Sequence, residues 1–252
     1  MIKDLCIKKS FKKLGLKKKD VVMIHGDAGV AAQLKFKKKG KLYYFIKEIL
    51  DYFSHEGTII VPTYTYSFAN TRLYDQKNSP SEVGLFSETF RKMRGVYRTK
   101  HPIFSFAVYG KFAKEVLNCD TSDSFGTNTV FDLLYKLNGK LVCIGCDLNR
   151  ITFTHYVEQK CAVSYRYFKK FNGFLVKGNK TKIKVSTNYF VRKKNITKGL
   201  SLDEFEQNAL NQNILLNVPF GRFSMSSILA VKFNNLAIKM LTKNEKSLIK
   251  QK

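Results

Sequence analysis

Val21-Val22-Met23-Ile24-His25-Gly26-Asp27-Ala28-Gly29 is a brief apolar run that empties into a polar, glycine-bearing loop. Such a run reads as a buried strand feeding a turn. Downstream, Leu42 to Phe53 carries apolar residues at helical spacing, and Gly57 parts it from Thr58-Ile59-Ile60-Val61, a second buried strand closed by Pro62. Strand, helix, strand in that order implies an α/β layered fold with parallel neighbours. The pattern extends in both directions. Ser10 to Leu16 reads as a short helix before the first strand. Phe104 to Val108 and Leu141 to Ile144 read as further strands, with Val130 to Leu137 as the helix between them.

The last hundred residues have a different texture. Gly173-Phe174-Leu175-Val176 and Lys182-Ile183-Lys184-Val185 read as hairpin strands around a Gly178-Asn179 turn, an antiparallel extension of the sheet. Ser201-Leu202-Asp203-Glu204 has capping-box form and predicts a helix running toward Asn211. Met225 to Lys239 predicts another helix, and the polar, basic Thr242 to Lys252 predicts a frayed tail. No internal repeat or linker interrupts the 252 residues, so a single domain over 1–252 is expected.

The chain carries 45 basic and 19 acidic residues, a formal net charge of +26. Such a surface attracts anions: nucleic acid, an acidic membrane, or a phosphate-bearing small molecule. A lysine-rich solvated surface with no dedicated partner gives the same composition. The basic residues are diffuse and no RRM, KH or zinc-finger pattern occurs, which argues against nucleic acid as the partner. No signal-like N-terminus and no stretch of ~18 apolar residues is present, so no membrane insertion and a cytoplasmic location are expected. Five cysteines without framework spacing fit free thiols. Cys143-Ile144-Gly145-Cys146 lies in an apolar run and lacks the second ligand pair of a zinc site or the helix start of a redox pair. These cysteines read as core residues, and no metal site is expected.

Thr152-Phe153-Thr154-His155-Tyr156-Val157-Glu158 is the segment richest in chemistry. It follows the Leu141 to Ile144 strand, where α/β sheets place their ligands. If a threonine starts a helix here, His155 and Glu158 share a face three residues apart, an imidazole base with a carboxylate to hold its tautomer. On spacing alone the pair reads first as an ordinary surface contact at a helix start, because such pairs are common. The loop His25 to Gly29 lacks both P-loop and G-x-G-x-x-G spacing, yet its glycines would let main-chain N–H groups approach an anion. Tyr97-Arg98-Thr99-Lys100-His101-Pro102 sets cations beside a proline and reads as a phosphate grip or an exposed loop.

Taken in order, these segments resemble the type III aminoglycoside N-acetyltransferase family. The resemblance runs through Leu14-Gly15-Leu16, Val22-Met23-Ile24-His25, Ile60-Val61-Pro62-Thr63, Ser79-Pro80-Ser81-Glu82-Val83-Gly84 and Glu88-Thr89-Phe90-Arg91. It continues through Arg98-Thr99-Lys100-His101-Pro102, Ser105, Phe125-Gly126 and Thr154-His155-Tyr156-Val157-Glu158. It implies one α/β/α domain with an extended mixed sheet, coenzyme A as acyl carrier, and direct transfer from acyl-CoA to a primary amine. His155 would be the base and Glu158 its orienter. Coenzyme A would lie against His25, Gly26, Asp27 and Ala28 and against Arg98, Lys100 and Ser105, and Tyr64 and Glu88 would meet the acceptor. Many family members carry a serine pair where this chain has Gly26-Asp27, and a serine where it has Thr99. After about residue 170 no motif matches, and residues 170–252 are expected to shape the acceptor site.

The family includes enzymes that acylate amino sugars on nucleoside diphosphates for surface-polysaccharide (O-antigen, lipopolysaccharide) synthesis. A strongly basic protein suits such an anionic acceptor better than a polycation. The expected acceptor is therefore a nucleotide-linked amino-deoxysugar, a dTDP-3-amino-3,6-dideoxyhexose, with acetyl or 3-hydroxybutyryl as the acyl group. Aminoglycoside 3-N-acetylation is the alternative, a basic polyanion-binding protein the distant one, and a homodimer a compatible assembly.

Overall fold

A computed structural model describes residues 5–34, 40–177, 181–193 and 195–251. In chain order the strands are β1 (Val21–Gly26), β2 (Thr58–Pro62), β3 (Leu73–Asp75), β4 (Tyr97–Arg98), β5 (Phe106–Gly110) and β6 (Lys140–Ile144). They continue with β7 (Arg166–Val176), β8 (Lys182–Arg192), β9 (Thr197–Leu200), β10 (Leu215–Phe220), β11 (Phe223–Leu229) and β12 (Ile249–Gln251). The helices are α1 (Ile7–Lys13), α2 (Lys41–Phe53), α3 (Phe68–Thr71), α4 (Leu85–Arg91) and α5 (Ala113–Leu117), then α6 (Val130–Lys136), α7 (Phe153–Lys160), α8 (Asp203–Asn211) and α9 (Ala230–Lys243).

A seven-stranded mixed sheet, ordered β10-β11-β6-β1-β2-β5-β4, forms the middle layer. The central β6, β1 and β2 are mutually parallel, as the strand-helix-strand order predicts. The flanking strands β5, β4, β11 and β10 each pair antiparallel with their inner neighbour. Alternation along β1 explains the two cores: Val22 and Ile24 face the cluster built with α1, α2 and α4. Val21 and Met23 face the cluster built with α6, α7, α8 and α9. Helix α2 buries Phe45, Ile46, Ile49, Leu50 and Phe53, an i, i+3/i+4 stripe on the first cluster.

Four expectations for the C-terminal part are corrected. The β7–β8 hairpin forms, eleven residues per strand, but it does not extend the main sheet. The free edge of β6 is taken by β11, and β7 pairs instead with β3 in a separate three-stranded sheet. The proposed Gly178-Asn179 turn lies outside the described residues. Met225 to Leu229 is strand rather than helix, because pairing with β6 overrides the helical spacing of Met225, Ile228 and Leu229. The Ser201 hydroxyl does not cap α8, whose N-cap is Leu202; it lies 3.4 Å from Asp203 Oδ2 instead. The tail does not fray, since Leu248 and Ile249 are buried and β12 pairs with β9.

Candidate active site

The parallel strands β1 and β6 end side by side, Gly26 opposite Ile144, and the Asp27 N–H donates to the Ile144 carbonyl at 2.8 Å. Two tight turns leave this edge. Gly145 has φ +73°, and a Cβ there would fall 2.0 Å from Val30 Cγ2, so only glycine lets the 27–33 turn pack this close. Asp147 then accepts from the Asn149 N–H, capping a short 3-10 turn that delivers Thr152 to the start of α7.

Helix α7 packs Phe153, Tyr156 and Val157 into the core and presents His155 and Glu158 on one flank. The two side chains meet as the spacing predicts, His155 Nδ1 lying 2.7 Å from Glu158 Oε2. The helix ends at Cys161, and Ala162 takes the left-handed conformation, φ +50°. That reversal returns the chain along Glu158. Tyr165 donates its hydroxyl hydrogen to Glu158 Oε1 at 2.9 Å, and Arg166 Nη2 lies 2.7 Å from Oε2. Glu158 is fully buried, while the His155 side chain keeps 15% exposure and stacks 5.2 Å from the Phe125 ring.

Electrostatics leaves the pair as carboxylate and neutral imidazole. Burial would raise the Glu158 carboxyl, but His155, Arg166 and Tyr165 together hold it below its ordinary value. Burial and then the Arg166 charge lower the His155 imidazole, outweighing the upward pull of Glu158. With Nδ1–H directed to the carboxylate, Nε2 keeps a free lone pair, as a base requires.

The other sequence-predicted residues divide into neighbours and bystanders. His25 is buried at the end of β1, where its Nε2 accepts from the Thr152 N–H at 3.4 Å. Burial pushes its imidazole down to about 3, and its Nδ1 has no partner among the described residues. Tyr64 reaches the same point, its hydroxyl 2.6 Å from Thr152 Oγ1. His25 and Tyr64 thus meet at the residue that starts α7. Gly26 and Ala28 flank this edge, and the Asp27 carboxylate accepts from the Gly29 N–H at 2.6 Å. A side chain at position 26 would set its Cβ 2.7 Å from the Phe86 ring, so the packing here calls for glycine.

Arg98 and Ser105 bond their polar atoms to one another and to Thr63 inside the protein. Arg98 is buried, with Nε donating to Thr63 Oγ1 and Ser105 Oγ, Nη1 to the Ser79 carbonyl and Nη2 to the Thr63 carbonyl. It also lies over the Tyr74 ring, so it ties three segments together. Only Lys100 of that group is exposed. Glu88 is likewise engaged within the protein, paired with Arg91 and Lys92 and accepting from the Ser81 N–H. Burial opposes its ionisation, yet those partners hold its carboxyl at about 2. Cys143 is core as expected. Cys146 is half-buried, donates to the His25 carbonyl at 3.3 Å, and lines a cavity of about 420 Å³. That cavity also carries Asp147, Glu206, Asn217, Arg222 and Ser224. Burial, then Asp147 and Asp203, raise the Glu206 carboxyl.

Sequence reasoning missed Arg166 and Tyr165. The sole signal was position, seven and eight residues beyond Glu158 after a helix end, and no glycine marks the reversal. Among the described residues no helix is long and apolar enough to cross a membrane, and no His, Cys, Asp or Glu cluster could hold a metal.

The family described as aminoglycoside 3-N-acetyltransferase matches residues 33–242. The SPbeta prophage-derived aminoglycoside N(3')-acetyltransferase-like protein YokD of Bacillus subtilis (strain 168) is 23% identical over 177 residues, 61% of this chain and 64% of its own length. Aminoglycoside N(3)-acetyltransferase IX of Micromonospora chalcea is 26% identical over 182 residues, 64% of this chain and 63% of its own. The match therefore spans under two thirds of either relative. Among solved structures, AAC-IIIb in binary complex with CoASH has TM-score 0.78 at 17% identity, covering 94% of each chain. AAC-VIa bound to sisomicin has TM-score 0.78 at 17% identity, covering 94% of this chain and 96% of its own. These structures share the α/β fold with its large mixed sheet.

The relatives and neighbours carry the names of aminoglycoside acetyltransferases or of proteins like them, which overturns the expected nucleotide-linked amino-sugar acceptor and its place in surface-polysaccharide synthesis. Net charge misleads because it is a property of the whole surface and says nothing of the groups around a particular site. With its fold, its ordered motifs and the match over residues 33–242, the chain belongs to the aminoglycoside 3-N-acetyltransferase family.

Proposed function

We propose that this protein acetylates a primary amine of an aminoglycoside with acetyl-CoA as donor, His155 serving as general base. The observation that carries the reading is the buried Glu158 carboxylate 2.7 Å from His155 Nδ1, which leaves Nε2 as the free lone pair. The family match and the sisomicin-bound neighbour support the acceptor class. A CoASH-bound neighbour supports the donor.

In this reading His155 Nε2 removes a proton from the amine as its nitrogen bonds to the thioester carbon. Glu158 stabilises the resulting imidazolium without taking the proton itself. His155 then returns the proton to the departing thiolate, so the protein ends unchanged. The thioester supplies the acyl electrophile. Its arm would lie along the main chain from His25 to Ala28, which borders the start of α7 through the His25–Thr152 contact. Asp27 N–H and Gly29 N–H are already bonded inside the protein, so the phosphates would need side-chain cations such as exposed Lys100. Beyond the end of β6, Asp147 and Glu206 line a cavity with Arg222, two carboxylates against one cation, which suits a polycation better than the overall charge does.

The test is thiol release from acetyl-CoA against a panel of aminoglycosides, with mass analysis of the products. Turnover on at least one member, giving a singly N-acetylated product, is expected. Absence of thiol release across the panel, from folded protein that binds acetyl-CoA, would overturn the acceptor assignment.

A further inference from the structure

Arg166 heads β7 and is almost wholly buried, yet its guanidinium does more than pair with one acid. Nη2 lies 2.7 Å from Glu158 Oε2 and 2.8 Å from His155 Nδ1, and Nη1 donates to the Phe190 carbonyl of β8 at 2.8 Å. Among the described residues its Nε–H is buried without an acceptor. A buried donor left unpaired is costly, so packing alone is a poor reason for arginine here.

Two donors converge on one oxygen. Nδ1–H and Nη2–H can both donate to Oε2, and their own close approach is tolerated because the anionic oxygen accepts from both. In the opposite tautomer the Nδ1 lone pair would face Oε2 at 2.7 Å, anion to lone pair, and Nε2–H could take no proton. The useful tautomer therefore depends on Glu158 being ionised. A fully buried carboxylate beside a neutral imidazole would otherwise tend to protonate, and a guanidinium is the one side chain that stays charged throughout.

We infer that Arg166 is a positioning residue of the dyad: its guanidinium keeps Glu158 an anion aimed at His155 Nδ1, which reserves Nε2 of His155 for the substrate proton. This rests on the reading of His155 as base. The charged groups acting on the imidazole are Glu158 on its own helix, Arg166 at the head of β7 and Arg192 of β8. Tyr165 and Tyr189 act on the other members of the cluster, and the Phe125 ring lies 5.2 Å from the imidazole. Once protonated, His155 confronts two arginines and one carboxylate, so the imidazolium is held only briefly before the proton passes on.

The experiment is a pH titration of the His155 imidazole by NMR, assigned with His155→Ala, in wild type, Arg166→Lys and Arg166→Gln. It needs no substrate, so it is independent of the acceptor assignment. Wild-type His155 is expected to titrate below the ordinary histidine value of about 6.5. In Arg166→Gln the nitrogen chemical shifts of the neutral imidazole should show the proton leaving Nδ1 for Nε2, because Glu158 no longer stays an anion that accepts from Nδ1–H. In Arg166→Lys, which keeps the charge, the Nδ1–H form should persist, and thiol release should retain the wild-type pH limb. A neutral imidazole that stays wholly Nδ1–H in Arg166→Gln would overturn the inference. Should that variant not fold, Arg166→Lys decides alone: loss of the Nδ1–H form, with the charge still present, would equally overturn it.

Discussion

His155 can accept a proton only while its imidazole is neutral, so the pH dependence of the reaction reports its surroundings. Burial, then Arg166, lowers its affinity for the proton, and Glu158 opposes them. A base with a lowered pKa stays competent further into acid. The low-pH limb of kcat/KM should therefore fall below the ordinary histidine midpoint of about 6.5, with a plateau through neutrality. A limb at or above that value, in a pH-rate profile at fixed ionic strength, would show that Glu158 dominates instead. That His155 and Glu158 meet was legible because an i, i+3 pair on a helix is a local geometry, whereas their reading as base and orienter came from the family resemblance alone. Arg166 was not, because its approach depends on a left-handed turn at Ala162, a residue type that gives no warning of φ +50°. Arg98 was legible as a cation but not as one whose donors are bonded within the protein. Its burial under Tyr74 and its bonds to Thr63 and Ser79 arise from pairing between β4 and β5 and from distant loops, which no local pattern encodes.

Among the elements, β1, β2, β6, α2 and α6 follow from apolar runs and spacing, since each is buried along the face that its own pattern defines. The later elements depend on partners. Met225 to Leu229 has helical spacing but pairs with β6, and the hairpin meets β3 because the β6 edge is already filled. The α2 layer carries a direct stability prediction. Phe45 is fully buried and packs at 6.5 Å from the Phe86 ring and 6.2 Å from Phe220, joining α2 to α4 and β10. Phe45→Ala should destabilise the protein by about 3–5 kcal/mol, the usual range for emptying an aromatic core site. Denaturant unfolding measures it. A loss under ~1 kcal/mol would mean that this layer collapses into the gap or contributes little to the fold.

At the scale of the whole molecule, a net charge of +26 repels the polycationic acceptor that the family match supports. Long-range repulsion of this kind is screened as the Debye length contracts from about 30 Å at ~10 mM salt to about 8 Å at ~0.15 M. For an aminoglycoside acceptor kcat/KM should accordingly rise over that interval. A steady fall would mean that association is governed by nearby carboxylates such as Asp147 and Glu206, not by the overall field. The same charge, legible from composition, pointed the sequence reading toward an anionic acceptor because composition has no address on the surface. The central claim is that His155 is the base for amine acylation, and thiol release by wild type and His155→Ala tests it most directly. Acetyl-CoA binding by calorimetry and the thermal midpoint serve as controls. Turnover in the variant should fall by about 10²–10⁴, with acetyl-CoA affinity and thermal midpoint unchanged. A folded His155→Ala protein that turns over within a few-fold of wild type would contradict the claim.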